Sequence, residues 1–309
     1  MLSRRNVRIK VMQSIYNWFQ DKELSTAGVV RNYRKHVATS YELLIFNTHN
    51  LIQISKRSID DKNWRKTKHL PTEIDRIFQP IIYENPVIHA LESSDTYKNF
   101  NKDIFTSFLE PAQFKKFYHE FSRTSEYQDY IRITDPQVED HVEILLELWK
   151  FLYSHQLYIE LVYDAYPNWI DDDSLVKGFI KRLIRGISED DELLKHYKPD
   201  PETVEEFGLT LLKDVMDHFQ DYDQQLIPYL QNWEIDRIAT IDRILITMAL
   251  SEFTKFPSIP TKVTLNEYVD IAKMYSTEKS KEFLNGILDA LLQDLVASNM
   301  VLKSGRGLI

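Results

Sequence analysis

WEIDRIATIDRILITMALSEF (233–253), IPTKVTLNEYVDIAKMYS (259–276) and KSKEFLNGILDALL (279–292) follow one another near the end of the chain, each with apolar residues at a helical period. They predict helices over about 234–255, 264–275 and 279–297, the second opened by a capping box of Thr264 with Glu267. Working back from there, Val7, Val11, Met12, Ile15, Trp18 and Phe19 mark one face of a helix over about 4–20. Val30, Tyr33, Val37, Tyr41, Leu44 and Leu51 mark a longer one within 26–57. Between 70 and 134 the pattern weakens, and Pro71, Pro80, Pro86 and Pro111 cut it into shorter pieces. Asp135-Pro136 reads as a cap followed by proline at the first helical position, ahead of a helix stopped by Pro167. Asp171–Ser174 start another, and Asp200-Pro201 repeat the cap before Phe207, Leu211, Leu212, Val215 and Phe219. No useful strand-like alternation survives, so the expected fold class is all-α.

Composition agrees. The 309 residues are 43% hydrophobic and 28% charged, which excludes a disordered chain. Seven glycines and 11 prolines are too few for a sheet protein with many hairpins. The absence of cysteine rules out disulfides, zinc–thiolate sites and thiol nucleophiles, and fits a reducing compartment. ILITMAL (244–250) falls far short of a membrane span, and VMQSIYNWFQ (11–20) is too polar for a signal-peptide core, so a soluble cytoplasmic protein is expected.

The net charge of −9 is unevenly spread. Residues 1–134 carry 21 Lys or Arg against 15 Asp or Glu, residues 135–225 carry 8 against 22, and residues 226–309 carry 9 against 10. The summed field repels phosphate and argues against wholesale coating of nucleic acid, leaving room for a local basic patch. The sequence holds no phosphate-binding glycine loop, no H-E-x-x-H, no G-x-S-x-G and no Glu-x-x-His pair. Asp171–Asp173 lack the spacing of a calcium loop and read as an acidic helix start, and Glu189–Glu192 read as a solvated turn. No enzyme chemistry, cofactor or metal is expected.

The C-terminal stretches resemble the NusB family of transcription antitermination factors. The family's spaced elements stand here as Glu252, then Pro260, Lys262, Val263, Leu265, Asn266 and Glu267, then Ala272 and Lys273, then Ser280, Phe283, Asn285, Gly286 and Leu288. RRNVRIKVMQSIYNW (4–18) is similar to the family's opening helix, and GFIKRLIRGI (178–187) to a family helix ending in glycine. The resemblance covers about 1–24 and 166–309, leaving 25–165 as an inserted helical region of unknown role. It implies two small helical bundles that bind RNA without turning over a substrate. The implied partners are ribosomal protein NusE, a boxA-type single-stranded RNA in ribosomal RNA transcripts, and the RNA polymerase antitermination complex, with no membrane.

The resemblance places RNA contacts at Arg4, Arg5, Arg8, Tyr16, Lys279, Lys281, Phe283 and Asn285, and partner contacts at Asp236, Asp242 and Phe283. On their own residues, the arginines would be solvated charges at a helix end, Tyr16 and Phe283 core, Asn285 and Gly286 structural, and the aspartates helix-surface partners of Arg237 and Arg243. Arginine forks suit phosphates and an aromatic face suits an unpaired base. One expectation underlies the set: the cations at the tip of the first helix and at the head of the last lie side by side as one gripping edge. Glu282 departs from the family, which usually carries a basic residue there, and a carboxylate repels phosphate. Glu282 and the acidic middle of the chain keep a second reading open, a helical scaffold that retains the NusE surface without RNA binding. A third, an RNA methyltransferase module, lacks a following cofactor domain.

Overall fold

The structure, a computed structural model, describes residues 2–21, 23–105, 109–167, 169–190, 192–230 and 235–305, without the side chains of residues 104 and 236. Among the described residues there are helices and no strands. In chain order come α1 (Arg4–Gln20), α2 (Thr26–Lys66), α3 (Glu73–Ile77), α4 (Pro86–Ser93), α5 (Asp95–Asn99), α6 (Pro111–Phe121), α7 (Ser125–Tyr130) and α8 (Val138–Ser154). There follow α9 (Gln156–Ala165), α10 (Trp169–Gly186), α11 (Leu193–His196), a π-helical stretch Glu202–Leu209, α12 (Thr210–Leu226), α13 (Thr240–Lys255), α14 (Thr261–Tyr275) and α15 (Ser280–Ala297). None is long and apolar enough to cross a membrane.

The chain forms two compact units, one of Met1–Ala38 with Pro199–Ile309 and one of Thr39–Lys198. The centre of the first is α13, whose residues from Ile244 to Phe253 are all buried. A helix apolar all round must be covered on every side, and α1, α12, α14 and α15 pack around this one. Its polar members are satisfied locally: the Thr247 hydroxyl donates to the Ile244 carbonyl at 2.8 Å and that of Ser251 to Asp214 at 2.6 Å.

Asp200 caps as its sequence suggests, accepting from the Thr203 N–H at 3.0 Å, but the helix behind it opens as π-helix. On that stretch a Cβ at Gly208 would stand 2.0 Å from the Tyr33 hydroxyl and 2.4 Å from Val7 Cγ1. Glycine is therefore what lets α1 and the first turns of α2 approach, and the Tyr33 hydroxyl donates to the Val204 carbonyl at 2.8 Å.

The second unit is built on aromatic residues. Phe117, Phe121, Tyr127, Trp149 and Tyr158 are fully buried, with α8 against α4, α6, α7, α9 and α10. Tyr158 donates to Asn47 Oδ1 at 2.7 Å and accepts from Asn50 at 3.0 Å, tying α9 to α2. Pro86 and Pro111 occupy the first turns of α4 and α6, so these prolines open helices where the sequence suggested interruptions. The α8 cap is Gln137 with Asp140, just beyond Asp135-Pro136. Within the acidic run, Asp172 is buried and accepts from Ser40 at 2.7 Å, and Asp173 pairs with Lys177 at 2.8 Å.

The unit boundaries fall later than 24/25 and 165/166 for identifiable reasons. Tyr33 and Arg34 hold the start of α2 to the π-helical stretch, Arg34 through Glu205 at 3.0 and 2.7 Å. All but the last residue of GFIKRLIRGI lies in α10, which packs on α8 within the second unit.

Candidate functional site

Ser3 caps α1, its hydroxyl accepting from the Asn6 N–H at 3.3 Å. The three arginines that follow have different surroundings. Arg4 is half exposed, 3.5 Å from Glu202 and over the Phe207 ring at 5.6 Å. Arg5 donates to both Glu267 oxygens at 2.8 and 3.0 Å and to Asp270 at 2.8 Å, and those hydrogen bonds raise its pKa.

Arg8 is buried. It donates to the two oxygens of Glu252 at 2.8 and 2.6 Å, with side-chain exposures of 2% and 0%. The same carboxylate accepts from the Thr264 hydroxyl at 2.7 Å and from Tyr268 at 3.0 Å. The Phe207 and Tyr268 rings lie 5.1 and 5.8 Å from the guanidinium carbon. Burial pulls the Arg8 pKa down, and the hydrogen bonds and charge of Glu252 more than reverse it. The Tyr268 hydroxyl is driven well up, first by burial and then by Glu252. A buried pair of this kind holds because its remaining lone pairs are met. Two expectations change here. Arg8 faces a carboxylate inside the bundle, so no donor of its own is offered to a phosphate. Thr264 is not a cap: α14 starts at Thr261 behind Pro260, and Thr264 turns inward to Glu252.

The other end of α1 carries Tyr16, 37% exposed. Beyond it Trp18 and Phe19 meet Phe219 edge-on, at 6.2 and 4.7 Å between centroids. Arg243, in the first turn of α13, pairs with Asp223 and lies 5.6 Å from the Phe19 ring. Trp18, Phe19, Phe219, Asp223 and Arg243 line a cleft of about 520 Å³ that also takes in Asp217 and Asp221, a site that the sequence does not single out. Its ingredients come from α1 and, some 200 positions later, from the successive helices α12 and α13.

Contacts along α13 set the direction of its neighbours. Arg8 meets Glu252 near its C-terminal end and Phe19 meets Arg243 near its N-terminal end, so α1 runs antiparallel to it. The head of α15 is fastened beside Arg243, where Ser280 donates to Asp242 at 2.7 Å. Asp242 and Glu252 lie roughly 15 Å apart along the axis at 1.5 Å per residue. The arginine tip of α1 and the lysine head of α15 therefore occupy opposite ends of α13, and the single gripping edge expected from the sequence does not form. Tyr16, by contrast, lies in the half of α1 that reaches toward the α15 head.

At that head Lys279, Lys281, Glu282, Asn285 and Gly286 are exposed and Phe283 is half-buried. A Cβ at Gly286 would meet nothing within 4 Å, so this glycine is not a helix-packing residue. Asp242 is buried, and its Oδ1 has no hydrogen-bond partner. It anchors Ser280 and does not project as a partner-facing surface residue. The Asp236 side chain lies outside the described residues.

Residues 169–293, from α10 into α15, match the NusB family. Over 110 residues the chain is 43% identical to the transcription antitermination protein NusB of Salinibacter ruber, covering 36% of this chain and 68% of that one. The chain belongs to the NusB family. The NusB of Methylacidiphilum infernorum is 35% identical over 116 residues, 36% of this chain and 78% of its own. That of Chloroherpeton thalassium is 39% identical over 104 residues, about half (49%) of its length. No solved structure matches the chain. The family match takes in α13 and α14 whole and α15 as far as residue 293, and with them the Glu252 hub and the exposed α15 head.

Proposed function

We propose that this NusB-family chain acts in transcription antitermination, binding a boxA-type single-stranded RNA of ribosomal RNA transcripts together with ribosomal protein NusE. It would work in the cytoplasm, as part of the RNA polymerase antitermination complex, by holding RNA and not by turning it over. The observation that carries this reading is the α15 head, where exposed Lys279 and Lys281 precede a half-buried Phe283, with Asn285 and open space at Gly286 beyond. The lysines meet phosphates, Phe283 and Tyr16 offer faces to unpaired bases, and Asn285 offers an amide to a base edge. Phe283 also remains the proposed NusE contact. Arg5 and Arg8 are left out, because each is already bound to carboxylates, and Arg4 contributes only a half-screened charge.

Exposed Glu282 beside Phe283 favours the second reading, a scaffold that keeps NusE and has lost RNA. Fluorescence anisotropy with a boxA-like RNA, with and without NusE, separates the two. Affinity should fall for Lys279→Ala with Lys281→Ala, while Arg4→Ala has little effect. No RNA binding even with NusE present would leave the scaffold.

A further inference from the structure

The second unit carries two adjoining clefts of about 460 and 430 Å³, on either side of Arg65. Together they are lined by seven Arg or Lys and three Asp, on a chain whose net charge is −9. The three carboxylates are already matched. Asp60 pairs with Arg57 at 3.0 Å, Asp61 with Arg65 at 3.0 Å, and Asp75 with Arg65 at 3.0 Å and Lys68 at 2.8 Å. Lys66 near the end of α2, Arg76 in α3 and Lys115 in α6 are exposed, and among the described residues none of them has an ion-pair partner. Arg123 adds a further exposed guanidinium, donating to His119 at 3.0 Å.

Among these cations stands Trp64, 60% exposed, with the Lys68 ammonium 4.5 Å from its ring centroid. Tryptophan is ordinarily well buried. More than half of this indole is open to solvent. Unmatched cations around an open aromatic face are the combination that holds unpaired nucleotides, phosphates on the charges and a base on the ring. The recessed shape favours a strand over a flat anionic bilayer, whose headgroups cannot fill two clefts.

We propose that this face of the inserted unit is a second contact for single-stranded RNA, with Trp64 stacking on a base and Lys66, Arg76 and Lys115 meeting phosphates. It rests on the reading that the chain handles RNA, but uses none of the residues assigned to the α15 head. Its contribution is to sequence-independent affinity, since stacking and phosphate contacts carry little base identity.

The test uses the full chain with RNAs of ~30 nucleotides, one boxA-like and one oligouridine, long enough for more than one such site. Lys66→Glu with Arg76→Glu and Lys115→Glu should weaken binding of both RNAs by about tenfold or more and flatten the salt dependence, by ~0.7 in slope per cation lost. Trp64→Ala should weaken binding by roughly fivefold or more. All four side chains are exposed, and an unchanged thermal transition would confirm that the variants fold. Photocrosslinking with 4-thiouridine RNA should mark residues 57–76 and 115–123. Crosslinks confined to Tyr16 and 279–285, with affinities unchanged in the variants, would overturn this inference and leave the α15-head reading intact. Oligouridine binding that is lost in the charge reversals, without boxA preference, would support the inference and remove that reading. No RNA binding at all overturns both. Charge reversals that abolish co-sedimentation with phosphatidylglycerol vesicles but leave RNA binding unchanged would assign the face to a membrane and overturn the proposal.

Discussion

Arg8 and Glu252, 244 positions apart in the chain, close a two-pronged ion pair inside the first unit with neither side chain more than 2% exposed. Removing one partner strands the other charge in the core. Glu252→Gln or Arg8→Met should each cost about 3–5 kcal/mol in urea denaturation, and the double Arg8→Met/Glu252→Leu variant should recover a large part of it. The salt dependence of RNA binding by Arg8→Met, measured below its unfolding transition, should match that of the unmodified chain. A flatter slope would put Arg8 back among the phosphate contacts.

Glu282 is exposed in the first turn of α15, among the residues proposed to meet RNA. Glu282→Lys removes a repulsion and adds a cation, so affinity for a boxA-like RNA at low salt should rise several-fold and the salt slope should steepen by ~0.7. The exchange forfeits a favourable helix-start charge and should cost about 0.3–1 kcal/mol of stability. An unchanged affinity and slope would move the RNA away from this head.

Gly208 is the tightest glycine described, its absent Cβ facing Tyr33 and Val7. Gly208→Ala should destabilise the first unit by about 1–3 kcal/mol through overpacking. Adding Tyr33→Phe should return part of this, because the closest approach is to the hydroxyl, at the expense of the bond to Val204. Alanine tolerated without loss at this position would contradict the close approach.

His49 in the second unit accepts from or donates to the Tyr97 hydroxyl at 2.8 Å, and burial, reinforced by Lys102, lowers its pKa to about 4. The unfolded chain, with an ordinary value near 6.5, takes up that proton first. Stability from this group is therefore complete above about pH 6.5 and is lost as pH falls toward 4, by about 3 kcal/mol in all. His141 is displaced in the same direction by burial. Denaturation midpoints of His49→Phe should fall less steeply across that window than those of the unmodified chain. Parallel curves would dismiss His49 as a source of acid sensitivity.

The helices of α13 to α15 were legible because their periodicity is strong and their spaced motif is specific in order. What pairs with what was not. Arg4, Arg5 and Arg8 read as one basic cluster, since a linear pattern does not show that Glu252 waits inside for one of them and Glu267 and Asp270 for another. The single edge of arginines and lysines failed on helix direction alone, which is decided by contacts such as Phe19 with Arg243. Thr264 with Glu267 has the spacing of a cap, and only tertiary structure reveals that its hydroxyl serves a carboxylate 12 positions earlier. Trp64 lies beyond residue 57, where the helix read from the sequence stops, and its exposure is a property of the fold.

The first unit is assembled from both ends of the chain. On the ribosome, α1 emerges long before α13 and α14 exist, and at ~5–20 residues per second its apolar face goes uncovered for roughly ten to fifty seconds. The stretch between, Thr39–Lys198, emerges whole within that interval. Chaperone engagement of the nascent chain, and the penalty for slow translation, should therefore fall on the opening helix.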